Sequence, residues 1–271
     1  MGHLTDEVLS TIISELYSVY KKPYISLKLL DSDAPFYSSK IGGIPYYPKG
    51  MIYPTNSNKD YMYLLAQINF SEMPKLKNFP TTGILQIFIN PDDEFGLYDA
   101  DGKYNPILHK VIYHEIVDLD ENHQQTLPND VAQNYNTKHE IENKVLPFNS
   151  VFALKGKLKE GASFRWYKAD QIIDKMALKY NVSNDELYNA IMEDDRLRPQ
   201  LCSLGGYPNF AQEDPRSDDT YDTLLLQLES IKVSKHKEIM WGDCGVGNFF
   251  ISTENLKKRN FDDVLYNFDC C

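Results

Sequence analysis

The chain is poor in cysteine, poor in basic charge and without a long apolar run. Its four cysteines, Cys202, Cys244, Cys270 and Cys271, show no C-x-x-C spacing and have no histidine partner at a zinc-finger interval. A disulfide scaffold or a zinc module is therefore not what organises the fold. Lys and Arg number 28 against 39 Asp and Glu, giving a net charge of −11 and a pI near 5.0. A nucleic-acid binder needs the opposite balance to displace phosphate counterions, and so does a surface that seeks anionic lipid. No segment approaches the roughly 20 apolar residues of a membrane span. Asp6, Glu7 and Glu15 interrupt the N-terminus where a signal peptide would be apolar, and Asp6 stands where a myristoylation signal needs Ser or Thr. The six histidines lack ligand spacing such as H-x-x-x-H. These absences predict a cytoplasmic protein that uses no metal, no cofactor, no nucleic acid and no membrane.

What is present is ordinary globular material, 42% hydrophobic and 25% charged over 271 residues. Leu9, Ile12, Ile13, Leu16, Tyr17 and Tyr20 fall on one helical face, with Thr5 as N-cap and Lys21-Lys22-Pro23 as the stop. Short runs rich in Ile, Val, Leu, Tyr and Phe then read as strands over 24–30, 61–70, 83–89, 110–117 and 150–154, and later over 223–230, 248–251 and 264–268. The polar stretch 120–149 reads as a long surface loop or an irregular helical excursion, and 99–102 as a tight turn. Helical periodicity returns over 170–180. Ser183 and Glu186 make a capping box for a following helix, and 253–259 reads as a short one.

Three motifs occur twice in the same order. Gly42-Gly43-Ile44-Pro45, Leu64-Leu65-Ala66-Gln67-Ile68 and the strand from Gly83 are followed by Gly205-Gly206-Tyr207-Pro208, Leu225-Leu226-Gln227-Leu228 and the strand from Gly245. The interval from Gly43 to Gln67 is 24 residues and that from Gly206 to Gln227 is 21, a difference of loop size. The expected fold is α+β, a single domain over 1–271 that is internally duplicated. Its two mostly antiparallel β units, at about 35–119 and 200–269, are related by a pseudo-twofold, with an N-terminal amphipathic helix and a helical insertion near 168–198. Each Gln in a Leu-Leu-x-Gln strand is a polar group in an apolar run and must find hydrogen bonds. Gln67 and Gln227 either meet near the axis, or line a shared cleft, or each satisfy local loop backbone.

Several of these segments carry a family likeness. Residues 39–45, 204–212, 225–230 and the block Trp241-Gly242-Asp243-Cys244-Gly245-Val246-Gly247-Asn248-Phe249-Phe250-Ile251 together resemble the YwqG-like family of bacterial proteins, over about residues 30–269. The resemblance implies a mixed α+β protein from a cytoplasmic setting and brings no catalytic residues with it.

Candidate chemistry concentrates at 241–248. Its glycines free the backbone for close approach, Trp241 offers a stacking face and Asp243 a carboxylate, with Asn248 behind them. Gln212, Gln227 and Gln67 complete the candidate ligand-binding set. The G-x-G in this block neither continues as G-x-G-x-x-G nor opens a helix, so it is no dinucleotide fingerprint. Cys244 has His236 upstream as a possible base, but Asp243 beside it opposes a thiolate. No catalytic residues are assigned. Acidic runs and 19 tyrosines suit an interaction surface. The expected function is a non-enzymatic binding protein, one concrete form being an acidic inhibitor or immunity-type partner of a basic protein. The alternative is a small-molecule sensor or enzyme with its pocket at 241–248.

Overall fold

A computed structural model describes residues 3–99, 101–136, 145–198 and 200–271. Met1, Gly2, Ala100, Pro199 and residues 137–144, which include His139, lie outside the described residues. Helix α1 (Asp6–Tyr20) starts where the Thr5 hydroxyl accepts the Val8 N–H, carries Asp6 and Glu7 at its positive end, and buries Ile12, Ile13 and Leu16. The chain then enters a large antiparallel sheet through β1 (Lys22–Leu30), β2 (Lys40–Ile41), β3 (Tyr63–Asn69), β4 (Ile84–Ile89) and β5 (His109–His114). After α2 (Asn129–Asn136) come β6 (Phe152–Gly161), α3 (Ala169–Tyr180), α4 (Asn184–Glu193), β7 (Cys202–Gly205) and β8 (Thr223–Glu229). A small hairpin of β9 (Ile231–Ser234) and β10 (Lys237–Ile239) precedes β11 (Val246–Ile251), α5 (Thr253–Lys258) and β12 (Leu265–Asp269).

Ten strands form one sheet in the order β12-β11-β8-β7-β1-β6-β2-β3-β4-β5. The two longest strands make its middle, pairing from Lys22↔Gly161 to Leu30↔Ala153. On the far edge of β6 lies β2, with Lys40 opposite Ala153, and on the far edge of β1 lies β7, with Ser26 opposite Ser203. The sheet curls until its ends nearly meet. His109 of β5 places Nε2 3.1 Å from the Val264 carbonyl just before β12, and its ring lies 5.4 Å from that of Tyr266. The fold is thus a mixed α/β structure, mostly one nearly closed antiparallel sheet with few helices. The wrapped interior holds the main core, including Ile25, Leu65, Phe152, Leu204, Leu226 and Phe249. Outside it, α1, α3 and α4 pack together over Tyr207, Ala162 and Phe164 as a second cluster.

Most expected elements are found, with a few differences. Strand β6 continues to Gly161, past the 150–154 expected, because Lys-Gly-Lys-Leu-Lys-Glu reads as polar while half of that ladder faces solvent. β2 and β7 are two and four residues long, too short to show a period. The β9–β10 hairpin was not expected from the sequence, and α2 falls in the stretch read as a loop or an irregular helical excursion.

Candidate functional site

Two turns with the sequence Gly-Gly-x-Pro sit at corresponding places beside the middle strands. All four glycines have left-handed backbone, with φ of +63° and +73° at Gly42 and Gly43 and of +69° and +82° at Gly205 and Gly206, a conformation that other residues adopt only with strain. Each turn delivers one backbone segment onto a buried amide. The Gln67 Oε1 accepts the Tyr46 N–H at 2.8 Å, and the Gln227 Oε1 accepts the Asn209 N–H at 2.7 Å. A second amide grips the same segment from the next strand. Gln86 Nε2 donates to the Tyr46 carbonyl at 2.8 Å, and Asn248 Nδ2 donates to the Asn209 carbonyl at 2.9 Å. The Gln67 amide N–H groups donate to the carbonyls of Phe36 and Ser38, and those of Gln227 to the carbonyls of Gln200 and Leu201. Both glutamines are fully buried and bonded to the loop backbone of their own half.

The two clusters then diverge. Around Gln67 the polar groups close on each other: Gln86 Nε2 also donates to Gln67 Oε1 at 2.8 Å, and the Gln86 Oε1 meets His114 Nε2 at 2.9 Å. Burial pushes His114 down to about 4, so it is neutral and donates there. Around Gln227 the corresponding face carries Glu229, Asn248, Asn267 and Asp269, which share a side because they alternate along β8, β11 and β12 with Asn248 opposite both Gln227 and Asn267. Glu229 accepts from Asn209 Nδ2 at 3.1 Å, and Asp269 accepts the Gln212 N–H at 2.7 Å. One oxygen of each carboxylate, and the amide oxygens of Asn209 and Asn248, have no hydrogen-bond partner. Burial raises the Glu229 carboxyl to about 7 against the Asn209 bond and Arg165, and raises Asp269 as well against the N–H groups that cap it. This face holds several buried acceptors without partners, together with the unpaired Nδ2 donor of Asn267.

The residues singled out from sequence fall into three places. Gln227, Asn248 and Gln212 converge on the second polar face, where Gln212 also forms a wall of a cleft of about 510 Å³ with Arg165, Trp166, Tyr167 and Tyr188. Gln67 belongs to the first cluster, in the other half of the sheet. Trp241 is fully buried. Phe268 stacks on it at 5.8 Å, Phe95 meets it edge-on at 5.4 Å, and a Cβ on Gly247 would stand 2.3 Å from its ring. Asp243 and Cys244 are exposed on the turn that follows, with Cys244 at φ +79°. Glu229, Asp269 and His114 were not singled out from sequence, since a lone acid or histidine near a strand end carries no pattern. Among the described residues no group of three or more His, Cys, Asp or Glu side chains is placed to hold a metal ion, and no helix is long and apolar enough to cross a membrane.

A second feature is a set of four exposed apolar side chains in the first half of the chain. Ile44, Ile52, Ile116 and Leu119 are 51%, 89%, 87% and 59% exposed. They lie on two segments laced together by Gln125 N–H to the Tyr47 carbonyl, Lys49 N–H to the His123 carbonyl and Asp118 N–H to the Tyr46 hydroxyl. Glu115, Asp118, Asp120 and Glu121 are exposed on the second of these segments, and His123 and Lys49 act on Asp118. Tyr207, which occupies in the second Gly-Gly-x-Pro turn the place of Ile44 in the first, is covered by the helical layer and donates its hydroxyl to the Tyr20 carbonyl at 2.7 Å.

The profile of a domain of unknown function, DUF1963, matches residues 39–270, which spans the sheet from β2 to β12. The chain belongs to this family. The DUF1963 match thus covers both Gly-Gly-x-Pro turns and both amide clusters, and begins after α1 and β1. A search of curated proteins finds no match to the chain.

Proposed function

We propose that this DUF1963 chain is a non-enzymatic, cytoplasmic binding protein whose partner is a basic protein segment, docked on the Ile44–Ile52–Ile116–Leu119 patch. The observation that carries the reading is four strongly exposed apolar residues on two hydrogen-bonded segments that also carry four exposed carboxylates, whereas Tyr207, the counterpart of Ile44, is packed against the helices. Scattered exposed apolar residues are normal, but several together with a rim of one charge sign mark an interaction surface. A basic amphipathic segment supplies both the apolar face and the complementary charge. The overall charge of −11 favours the same partner through steering.

The scaffold reading is a duplication with a pseudo-twofold between β1 and β6. The repeated motifs, the mirrored strand order on either side of that ladder and the same wiring of Tyr46 and Asn209 by paired amides support it. The likeness to YwqG-like proteins supports a bacterial, cytoplasmic setting. A ligand pocket built on 241–248 is the weaker alternative, because Trp241 is fully buried.

The test is fluorescence anisotropy with a labelled amphipathic Leu/Lys helical peptide. Binding in the micromolar range that weakens as salt rises is expected, and it should fall at least tenfold in the Ile52→Glu, Ile116→Glu double variant. Those substitutions add negative charge, so a variant that binds as tightly or more tightly would show bulk charge attraction alone and end the proposal.

A further inference from the structure

The middle of the sheet leaves one strand side open. β6 pairs with β1 along its length on one side, from Gly161 opposite Lys22 to Ala153 opposite Leu30. On its other side β2 covers only Phe152 and Ala153, and the Leu154 N–H donates to the Ser39 carbonyl. Among the described residues no strand pairs with that side from Lys155 to Gly161. Alternate residues of an antiparallel strand turn their N–H and C=O groups to the same side, so Gly156, Leu158 and Glu160 present theirs where Leu154 does. Lys157 to Glu160 are exposed throughout. The side chains alternate as well. Lys155, Lys157 and Lys159 share one face at steps of about 6.7 Å, all exposed, with exposed Lys28 directly opposite Lys155. Like charges so placed cost stability, and among the described residues none of the four forms an ion pair. On the other face Met73 and Pro74 pack over Gly156, and Leu158 is left 48% exposed. Glu160 is already held by Lys21 at 3.0 Å.

We propose that the open side of β6 from Gly156 to Glu160 is a docking edge for an extended acidic segment of another protein, which adds an antiparallel strand to the sheet. A row of unpaired backbone donors and acceptors selects a polypeptide over a nucleic acid, and alternate side chains set the specificity. Acidic residues of the segment lie beside Lys155, Lys157 and Lys159, and the apolar residue between them lies against Leu158. Lysines on an exposed edge keep a second copy of the same strand away, whereas a strand of opposite charge meets no such barrier. Elsewhere the chain is acidic, at −11 overall, so it repels a long polyanion and admits a segment no longer than the lysine row. This edge lies apart from the Ile44–Leu119 surface and takes the opposite charge, so either reading can fail without the other.

The experiment titrates the full ¹⁵N-labelled chain with the capped peptide Glu-Val-Glu-Val-Glu, and with the same peptide N-methylated at both valines, followed by NMR. The methylated peptide keeps every charge but cannot donate to the β6 carbonyls. Saturable binding of the first peptide, at least tenfold tighter than the second, is expected, with slowed exchange of the Gly156, Leu158 and Glu160 amides. In the Lys157→Glu, Lys159→Glu double variant the first peptide should bind at least tenfold more weakly. Equal affinity of the two peptides would show charge attraction alone and overturn the proposal. So would protection that misses β6, unchanged binding by the double variant, or no saturable binding. The wild-type comparison decides even if the double variant fails to fold.

Discussion

Lys40 shows how far a single residue can be driven by its surroundings. It is 1% exposed, and its ammonium donates to the Pro35 carbonyl at 2.9 Å and the Phe36 carbonyl at 3.3 Å. Burial lowers its pKa to about 7, against the pull of Glu72. Between about 7 and its ordinary 10.5 the unfolded chain holds the proton and the folded chain does not, so the contribution of Lys40 to stability rises with pH across that window. Below it both states are charged and the cost of burying the ammonium stands in full. Lys40→Met should therefore gain most over the wild type near pH 6 and least near pH 9.5, as read from urea midpoints. A difference that does not change with pH would contradict this account. Lys40 is invisible as a special residue in the sequence, since a lysine in a two-residue strand looks like any surface lysine. Gln67 and Gln227 stood out because each interrupts an apolar run, and each did find local loop backbone. That Gln86 and Asn248 grip the same Tyr46 and Asn209 segments from the next strand depends on strand register, which no local pattern encodes.

At the scale of elements, the helices were the most legible part. α1, α4 and α5 begin at Thr5, Ser183 and Ser252, whose hydroxyls accept N–H groups of the first turn, and cap residues of this kind are written in the sequence. Strands were legible where both faces are buried, as in β3, β4 and β11. They were not legible in β2 and β7, which are strands only because β6 and β1 offer them an edge. α1 is a helix whose stability comes from its neighbours, since Ile12, Ile13 and Leu16 pack with α3, α4 and Tyr207. Ile13→Ala should cost about 3 kcal/mol in chemical denaturation, as deletion of fully buried branched side chains does. A loss below about 1 kcal/mol would mean that α1 is an attachment and not part of the core.

For the whole molecule, the sheet order binds the two halves together. β1 pairs along nine residues with β6 and on its other edge with β7, while β6 receives β2. Each half thus lends its first strand to the other. A fragment of residues 1–140 should therefore lack a cooperative transition, and so should 141–271, whereas co-expression should yield a complex with the circular dichroism and dispersed NMR spectrum of the intact chain. Independent folding of either fragment would show that the shared ladder is dispensable.

The same ladder sets an order of events during synthesis. Lys22 pairs with Gly161, and Tyr24 with Gly205, so the second strand edge of β1 has no partner until three quarters of the 271 residues have been translated. β2 to β5 emerge earlier and can only form an open sheet with an apolar face. Closure by contacts this distant in sequence is slow and leaves strand edges open meanwhile. The free edge of β1 is therefore covered only with the arrival of β7.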